Sequence, residues 1–331
     1  MKKLTINDIA KSAGVSKATV SMVLNKKDKN ISAETRNRIL NVIKETGYIP
    51  NLAARSLNTN RTGTIGIIVP DITNPFFSQI SRAIEDFANQ LGYNVILCNS
   101  DNDIKKERSY TKLLISKQVE GVILIFGSNE TINAEILKEN MVPFVLVDRY
   151  IDGFEEEPGV FCDNRKGSRI GVEYLQSKNK RNIAFVTDIS RQFVFEDRLE
   201  GYRQAMRDYG IYKEGFVFEE NLSLRGGMDV TRRLLDALGE VDAIFYCSDL
   251  MALAGIKMLK RRNLRVPEDI AVMGYDNIQF SEFVEPELTT VAQPIYEMGK
   301  TACELLTKLI NGEITEKHVI FTPKLIIRGT V

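Results

Sequence analysis

The chain has 331 residues, 44% of them apolar and 27% charged, with a formal net charge of zero. That length excludes a single small core and suits two or three domains. No run of about 18 apolar residues exists, so a membrane-spanning helix is excluded. The start "MKKLTINDIA" has neither the apolar region nor the small-residue cleavage site of a secretory signal.

The zero charge hides an asymmetry. Residues 1–62 carry twelve Lys/Arg against four Asp/Glu, a net of +8, and the remainder is net −8. A small basic module on an acidic body is the pattern of a polyanion-binding head. Cys98, Cys162, Cys247 and Cys303 form no C-x-x-C pair, and three of them sit in or beside apolar runs. They are expected to be buried free thiols in a reducing cytoplasm.

In chain order, the first predicted element is a helix in "TINDIAKSAG". Ile6, Ile9, Ala10 and Ala13 fall at helical spacing, and Gly14 suits the position just past a helix end. Ser16 can cap a second helix running to about Asn25. The short link between them is that of a helix-turn-helix. Ser32 as cap, Glu34 in the first turn and the stripe Ile39, Val42 and Ile43 predict a third helix, ending at Gly47. In "SKATVSMVLN" the buried stripe is Val20, Val23 and Leu24. Lys17, Ala18, Ser21, Met22 and Asn25 are left on the outer face, which is short, mostly uncharged and carries a methionine. A major groove admits such a face: Lys17 can reach guanine, and Ala18 and Met22 can pack on thymine methyl groups. Ser21 and Asn25 can bond phosphates or bases.

Pro50 closes the bundle, and Leu52 to Leu57 follow as barely two helical turns, too short to be stable alone. Arg55 and Leu57 beside a reading head suggest minor-groove insertion, with leucine as a wedge between base steps.

The segments "TINDIAKSAGVSKATVSMVLN", "ISAETRNRILNVIKETGYIPNLAARSL", "TGTIGIIVPDITNPFFSQISRAIEDFANQLGY" and "LTTVAQPIYEMG" closely resemble the lactose-repressor family of bacterial transcriptional regulators, over essentially the whole chain. The resemblance implies that Lys17, Ala18 and Met22 read bases, and that Ser16, Thr19, Ser21 and Asn25 support phosphate contacts. It also implies that Ala54, Arg55 and Leu57 belong to a minor-groove hinge helix. One departure stands out: Met22 replaces the arginine most common in the family, which removes a guanine contact worth about 1–3 kcal/mol of discrimination.

From Thr64 onward, seven apolar runs alternate with helical patterns: "TIGIIVP", "YNVILCN", "GVILIF", "PFVLVD", "NIAFVT", "DAIFYCS" and "DIAVMGY". This is the signature of βαβ units, and it suits two doubly wound sub-domains. The expected fold is α/β: a three-helix headpiece (1–49), a hinge (50–62) and a two-lobed effector and dimerisation domain (63–331). The polar insertion 151–160 is the expected crossing point between lobes. The resemblance implies a periplasmic-binding-protein-like body with three crossings, lobe 1 holding about 63–160 and 294–322 and lobe 2 about 161–293 and 323–331.

Asp71, Asp148, Asp188, Asp249 and Asp276 end strands, where ligands of open α/β sheets bind, although an aspartate there also suits a helix cap. By resemblance Asp148, Arg198, Asp276 and Gln293 align with effector contacts. Ser248 and Asp249 lie in the matching interlobe segment, and Phe76 and Phe77 form an apolar wall. Arg198 is the expected anchor, since a guanidinium grips two vicinal oxygens. Leu222 stands where relatives often carry a stacking aromatic, which favours sugars or sugar acids over purines. Arg191 is a further candidate for a carboxylate.

No phosphate loop, nucleophile elbow or metal-ligand spacing is present, so no enzyme, cofactor or metal is expected. A sugar-binding module without DNA function is disfavoured by the headpiece. The reading is a cytoplasmic, nucleoid-associated dimeric repressor of carbohydrate genes, released from a palindromic operator by its effector. Dependence on a co-repressor or on a phosphoprotein partner is the alternative.

Overall fold

A computed structural model of the chain describes residues 4–25, 27–49, 61–125, 127, 131–151, 153–190, 192–313 and 316–331. The hinge residues Ala54, Arg55 and Leu57, and Arg191, lie outside them. The chain divides into two units, Met1–Thr62 and Gly63–Val331.

Among its described residues the first unit has three helices, α1 (Ile6–Ala13), α2 (Lys17–Leu24) and α3 (Ala33–Thr46). Each end has a local cause. The Thr5 N–H and hydroxyl both donate to the Asp8 carboxylate, at 2.8 and 2.7 Å. Ser16 and Ser32 accept from the backbone N–H groups of Thr19 and Thr35. Gly14 and Gly47 stop α1 and α3 in the left-handed region, at φ 65° and 61°, which costs a glycine nothing. Ile9, Ala10, Ala13, Val20, Val23 and Ile39 are the buried core. Asp28, in the turn before α3, is buried and accepts from Arg36 Nε at 2.5 Å, tying that turn to the third helix.

The second unit holds two six-stranded sheets. The seven apolar runs form β1 (Thr64–Val69), β2 (Asn94–Asn99), β3 (Val122–Leu124), β4 (Phe144–Val147), β6 (Ile183–Asp188), β8 (Ala243–Tyr246) and β9 (Ala271–Asp276). Five further strands complete the sheets: β5 (Gly159–Cys162), β7 (Val217–Glu220), β10 (Thr289–Ala292), β11 (His318–Phe321) and β12 (Lys324–Ile326). The orders are β11-β5-β4-β3-β1-β2 and β12-β10-β9-β8-β6-β7. Every pairing is parallel except β10 with β12. The crossing expected within 151–160 comes after Cys162, because Gly159–Cys162 pairs with β4 and β11 in the first sheet.

The connecting helices are α4 (Pro75–Gln90), α5 (Ile104–Ser116), α6 (Ile132–Glu139), α7 (Asn164–Ser177), α8 (Phe193–Asp208), α9 (Leu224–Ala237), α10 (Asp249–Arg261) and α11 (Ile295–Ile310). The sheets' inward residues are apolar on both faces, as buried parallel strands require; Ile67, Ile123, Val145, Phe185, Ile244 and Val272 are fully buried. In each sheet the strand order reverses at one point, between β1 and β3 and between β6 and β8. Loops leaving the carboxyl ends there frame a crevice.

Candidate functional site

On the headpiece, α2 buries Val20 and Val23 and turns its other side out. Lys17 and Ala18 are exposed, and Met22 retains 41% of its free surface. The polar members of this face are held by one another. Ser16 Oγ lies 2.8 Å from Thr19 Oγ1, and Asn25 Nδ2 donates to Ser21 Oγ at 3.2 Å. No acidic residue occupies the first turn of α2, so its N-terminal dipole and Lys17 act together on an anion. The result is a flat face of small and flexible side chains with a positive end.

The second cluster lies where the two sheets' carboxyl ends meet. Arg198, on α8, is 3% exposed. Its Nε donates to Asn164 Oδ1 at 2.8 Å and its Nη1 to the Cys247 carbonyl at 2.5 Å, and its Nη2 stands 3.3 Å from Asp276 Oδ1. The Tyr275 ring supports the guanidinium from 3.8 Å. Gln293 Nε2 donates to Asp276 Oδ1 at 2.8 Å. Burial pushes the Asp276 carboxyl up to about 7 against the pull of Arg198.

From the first lobe comes Asp148, 3% exposed, with Oδ2 at 3.5 Å from Arg149 Nε. Burial raises its pKa as well, against the opposing pull of Arg149 and Arg198. Arg149 lies between two aromatic faces, 5.3 Å from Phe77 and 5.8 Å from Phe195. Asp148 and Asp276 both take positive φ, 66° and 110°. Such backbone strain persists only where surrounding structure imposes it, commonly at binding sites.

Several buried polar atoms here have no hydrogen-bond partner among the described residues: Asp148 Oδ1, Thr187 Oγ1, Gln192 Oε1 and Gln293 Oε1. Each such atom left unmet costs on the order of 1–3 kcal/mol, and all four belong to segments leaving the carboxyl ends of strands. Their chemistry is that of acceptors and a hydroxyl gathered beside two guanidinium groups and aromatic walls.

Other sequence candidates are engaged elsewhere. Asp71 shapes its own turn, accepting from the Thr73 N–H and hydroxyl at 2.8 and 2.7 Å. Asp188 accepts from the Leu222 N–H at 2.9 Å and from the Ser190 hydroxyl. Ser248 caps α10, accepting from the Met251 N–H at 3.3 Å. Asp249 is fully buried and takes three protein donors: Thr290 Oγ1 at 2.5 Å, Ser281 Oγ at 2.8 Å and the Ile278 N–H at 2.8 Å. Gly274 leaves the room it needs, since a Cβ there would stand 2.1 Å from Asp249 Oδ1. Asp249 thus braces the segments around it, and Ser248 caps α10.

Sequence reasoning missed Arg149, Asn164, Gln192 and Phe195. An arginine after "VD", an asparagine opening a helix and a glutamine before one carry no signal of convergence. Only the fold brings them together.

At the cleft edge two ties join the lobes. The Tyr150 hydroxyl donates to Asp197 of α8, whose other oxygen accepts from Arg165 Nε at 2.7 Å. The Tyr150 ring stacks on Phe193 at 5.7 Å. Burial, then Asp197, raises the Tyr150 pKa, so the hydroxyl stays a donor. Gln192 Nε2 donates to the Gly127 carbonyl, and the Gly127 N–H donates to Glu107 Oε1 at 2.7 Å.

A helix-turn-helix head and a two-lobed periplasmic-binding-protein-like body define a class of ligand-responsive DNA-binding regulator. Residues 5–51 match the model of bacterial regulatory proteins of the lacI family, and residues 172–331 match that of the periplasmic binding protein-like domain. The chain is 37% identical to the ribose operon repressor of Halalkalibacterium halodurans over 98% of this chain and 96% of that one. It belongs to the lacI family, and it is a DNA-binding transcriptional regulator, not an enzyme. Among solved structures it is similar to the Lac repressor dimer bound to operator and the anti-inducer ONPF, with a TM-score of 0.90 and 27% identity over 99% of both chains. It is also similar to a LacI family regulator from Enterococcus faecium with bound ribose, with a TM-score of 0.73 and 31% identity over 81% of this chain and 98% of that one. Among the described residues, no helix is long and apolar enough to cross a membrane.

Proposed function

We propose that the protein is a homodimeric repressor of a carbohydrate-utilisation operon, and that a small neutral sugar bound between its lobes releases it from a palindromic operator. The observation that carries the sugar reading is the set of unpartnered buried atoms on Asp148, Thr187, Gln192 and Gln293. Three carbonyl or carboxylate oxygens accept hydroxyl protons, and Phe76, Phe77 and Phe195 offer apolar faces to ring carbons. The electrostatics favour a neutral ligand over a sugar acid. Arg149 and Arg198 already have the carboxyl groups of Asp148, Asp188 and Asp276 beside them, and the burial that raises Asp148 and Asp276 penalises a further buried carboxylate in the same way. Ribose is the first candidate, given the ribose operon repressor and the ribose-bound neighbour among the relatives. Lys17, Ala18 and Met22 read bases, while Ser16, Thr19, Ser21 and Asn25 position the helix on phosphates. A regulator that binds chromosomal operators acts in the cytoplasm, at the nucleoid.

A thermal-shift and calorimetric screen of pentoses, hexoses, sugar acids and purines tests this reading. A sugar at 100 times its Kd stabilises the body by about 2.7 kcal/mol. Operator binding measured with and without that sugar gives the sign. A steep salt dependence is expected for the DNA complex, and stronger operator binding in the sugar's presence would overturn release. Binding of a sugar acid with no response to neutral sugars would overturn the ligand class.

A further inference from the structure

Helix α8 faces two ways. Phe195 and Arg198, three residues apart, look into the cleft, where Phe195 stands 5.7 Å from the Arg198 guanidinium. Phe193 and Asp197, four residues apart, meet Tyr150 of the first lobe instead. This division follows from helical periodicity, which puts i and i+3 or i+4 on one face. Arg165 belongs to the second lobe, so it fixes the Asp197 carboxylate in place from its own side. The acceptor is therefore pre-oriented on lobe 2, and lobe 1 contributes only the Tyr150 hydroxyl and ring. The edge of Phe161 steadies that ring, at 5.2 Å and 84°. Gln192, at the N-cap of the same helix, makes the second tie through the Gly127 carbonyl.

We propose that Tyr150 and Asp197 form a strap that holds lobe 1 to α8 whether or not effector is bound, and that as positioning residues they set the protein's sensitivity to its effector. The physical basis is population. Ligand affinity is the intrinsic affinity scaled by the fraction of molecules already in the competent, closed arrangement. A strap that contributes to closure without touching the ligand raises that fraction. It couples directly to ligand contact because Asp197 and Arg198 are consecutive residues, so separating one from its partner moves the other. A hydrogen bond to a charged acceptor is strong enough to shift such an equilibrium about tenfold.

The test uses the full chain. Tyr150→Phe keeps the ring packing and removes the donor, while Asp197→Asn keeps the shape and weakens the acceptor. Hydrogen exchange in the ligand-free protein is read at the amides of Phe193–Asp197, alongside the urea midpoint. Calorimetric titration with ribose supplies the affinity, and only this arm rests on the sugar reading. The expected result for each variant is faster exchange in that turn and weaker ribose binding, the two fold-changes multiplying to about tenfold, with the urea midpoint lowered by no more than that one hydrogen bond accounts for. The double variant behaves as either single one, because the two residues make one contact. Additive effects, or unchanged exchange in Tyr150→Phe, overturn the strap. Wild-type protein that ignores ribose, with faster exchange still seen in both variants, overturns the ligand and leaves the strap standing.

Discussion

The outer face of α2 and the interlobe cleft, the two surfaces proposed for recognition, are built in opposite ways. On α2 the residues proposed to contact DNA are exposed or half-buried, and those beyond the Ser16 cap are bonded only to near neighbours or to none of the core. In the cleft, Asp148, Arg149, Arg198, Asp276 and Gln293 are all buried, and each charge needs another to stand beside it. A groove-reading face can therefore change residue by residue, as Met22 illustrates. A cleft built of mutually compensating charges changes as a set. Mutations should expose that difference, most strongly in the cleft.

The largest effect is expected from Arg198→Ala. It leaves Asp276, the Asn164 side chain and the Cys247 carbonyl without their shared donor. Breaking a buried pair on one side costs about 3–5 kcal/mol. Urea unfolding should show that loss, calorimetry should find no effector binding, and operator occupancy should no longer respond to sugar. Wild-type stability in this variant would mean that the cleft charges are not interdependent.

Next comes pH, where the two units should differ in sign. Asp276 is raised to about 7 and Asp249 to about 6 by burial, from an ordinary value of 3.8. A raised carboxyl binds its proton more tightly in the folded state. The stability it contributes is therefore present below about pH 4 and lost as pH rises through about 6 and 7. The slope is at most about 1.4 kcal/mol per pH unit for each group. Asp28 in the headpiece is lowered by its Arg36 hydrogen bond. Its contribution is present above the unfolded value and lost as pH falls through the lower folded one. Denaturation of each unit followed between pH 3 and 8 checks both signs. Asp276→Asn should flatten the body's profile between about pH 6 and 7 and leave the headpiece unchanged.

The same contrast decides what could be read without coordinates. The headpiece was legible because its signals are local: Ser16, Ser32, Gly14 and Gly47 mark the helix ends, and a few apolar positions suffice for the stripe. Seven strands were legible as unbroken apolar runs. The others were not, for physical reasons. The β7 segment "VFEE" is half polar, and β11 and β12 are half exposed edge strands. The β5 segment "GVFC" is fully buried but adjoins an acidic insertion that reads as a linker. Within the cleft, strand-end aspartates were visible, but which serve ligand and which serve structure was not. Asp249 opens a helix and Asp276 ends a strand at φ 110°, and the chain brings different groups to each: Thr290, Ser281 and Gly274 to the first, Arg198 and Gln293 to the second.

On the DNA side, Lys17→Ala should leave headpiece stability within about 0.5 kcal/mol, as for most exposed substitutions. A base contact predicts a loss of about 1–3 kcal/mol confined to operators with the preferred base. A phosphate contact predicts uniform weakening and a salt slope smaller by about one. Binding to matched and altered operators across salt concentrations separates them.

The smallest and most discriminating effect concerns Met22. Its side chain is 41% exposed on the reading face and has no donor to offer a guanine. The favourable neighbour for a thioether in a major groove is the thymine methyl. Burying one methyl group is worth about 0.8 kcal/mol. Replacing thymine by uracil at the contacted pair should weaken binding by roughly that amount, about fourfold, and Met22→Ala should erase the distinction between the two bases. Met22→Arg should shift preference towards guanine at the same position. Equal affinity of the wild-type protein for thymine and uracil operators would place Met22 away from the base edge and return specificity at that position to Lys17 and Ala18.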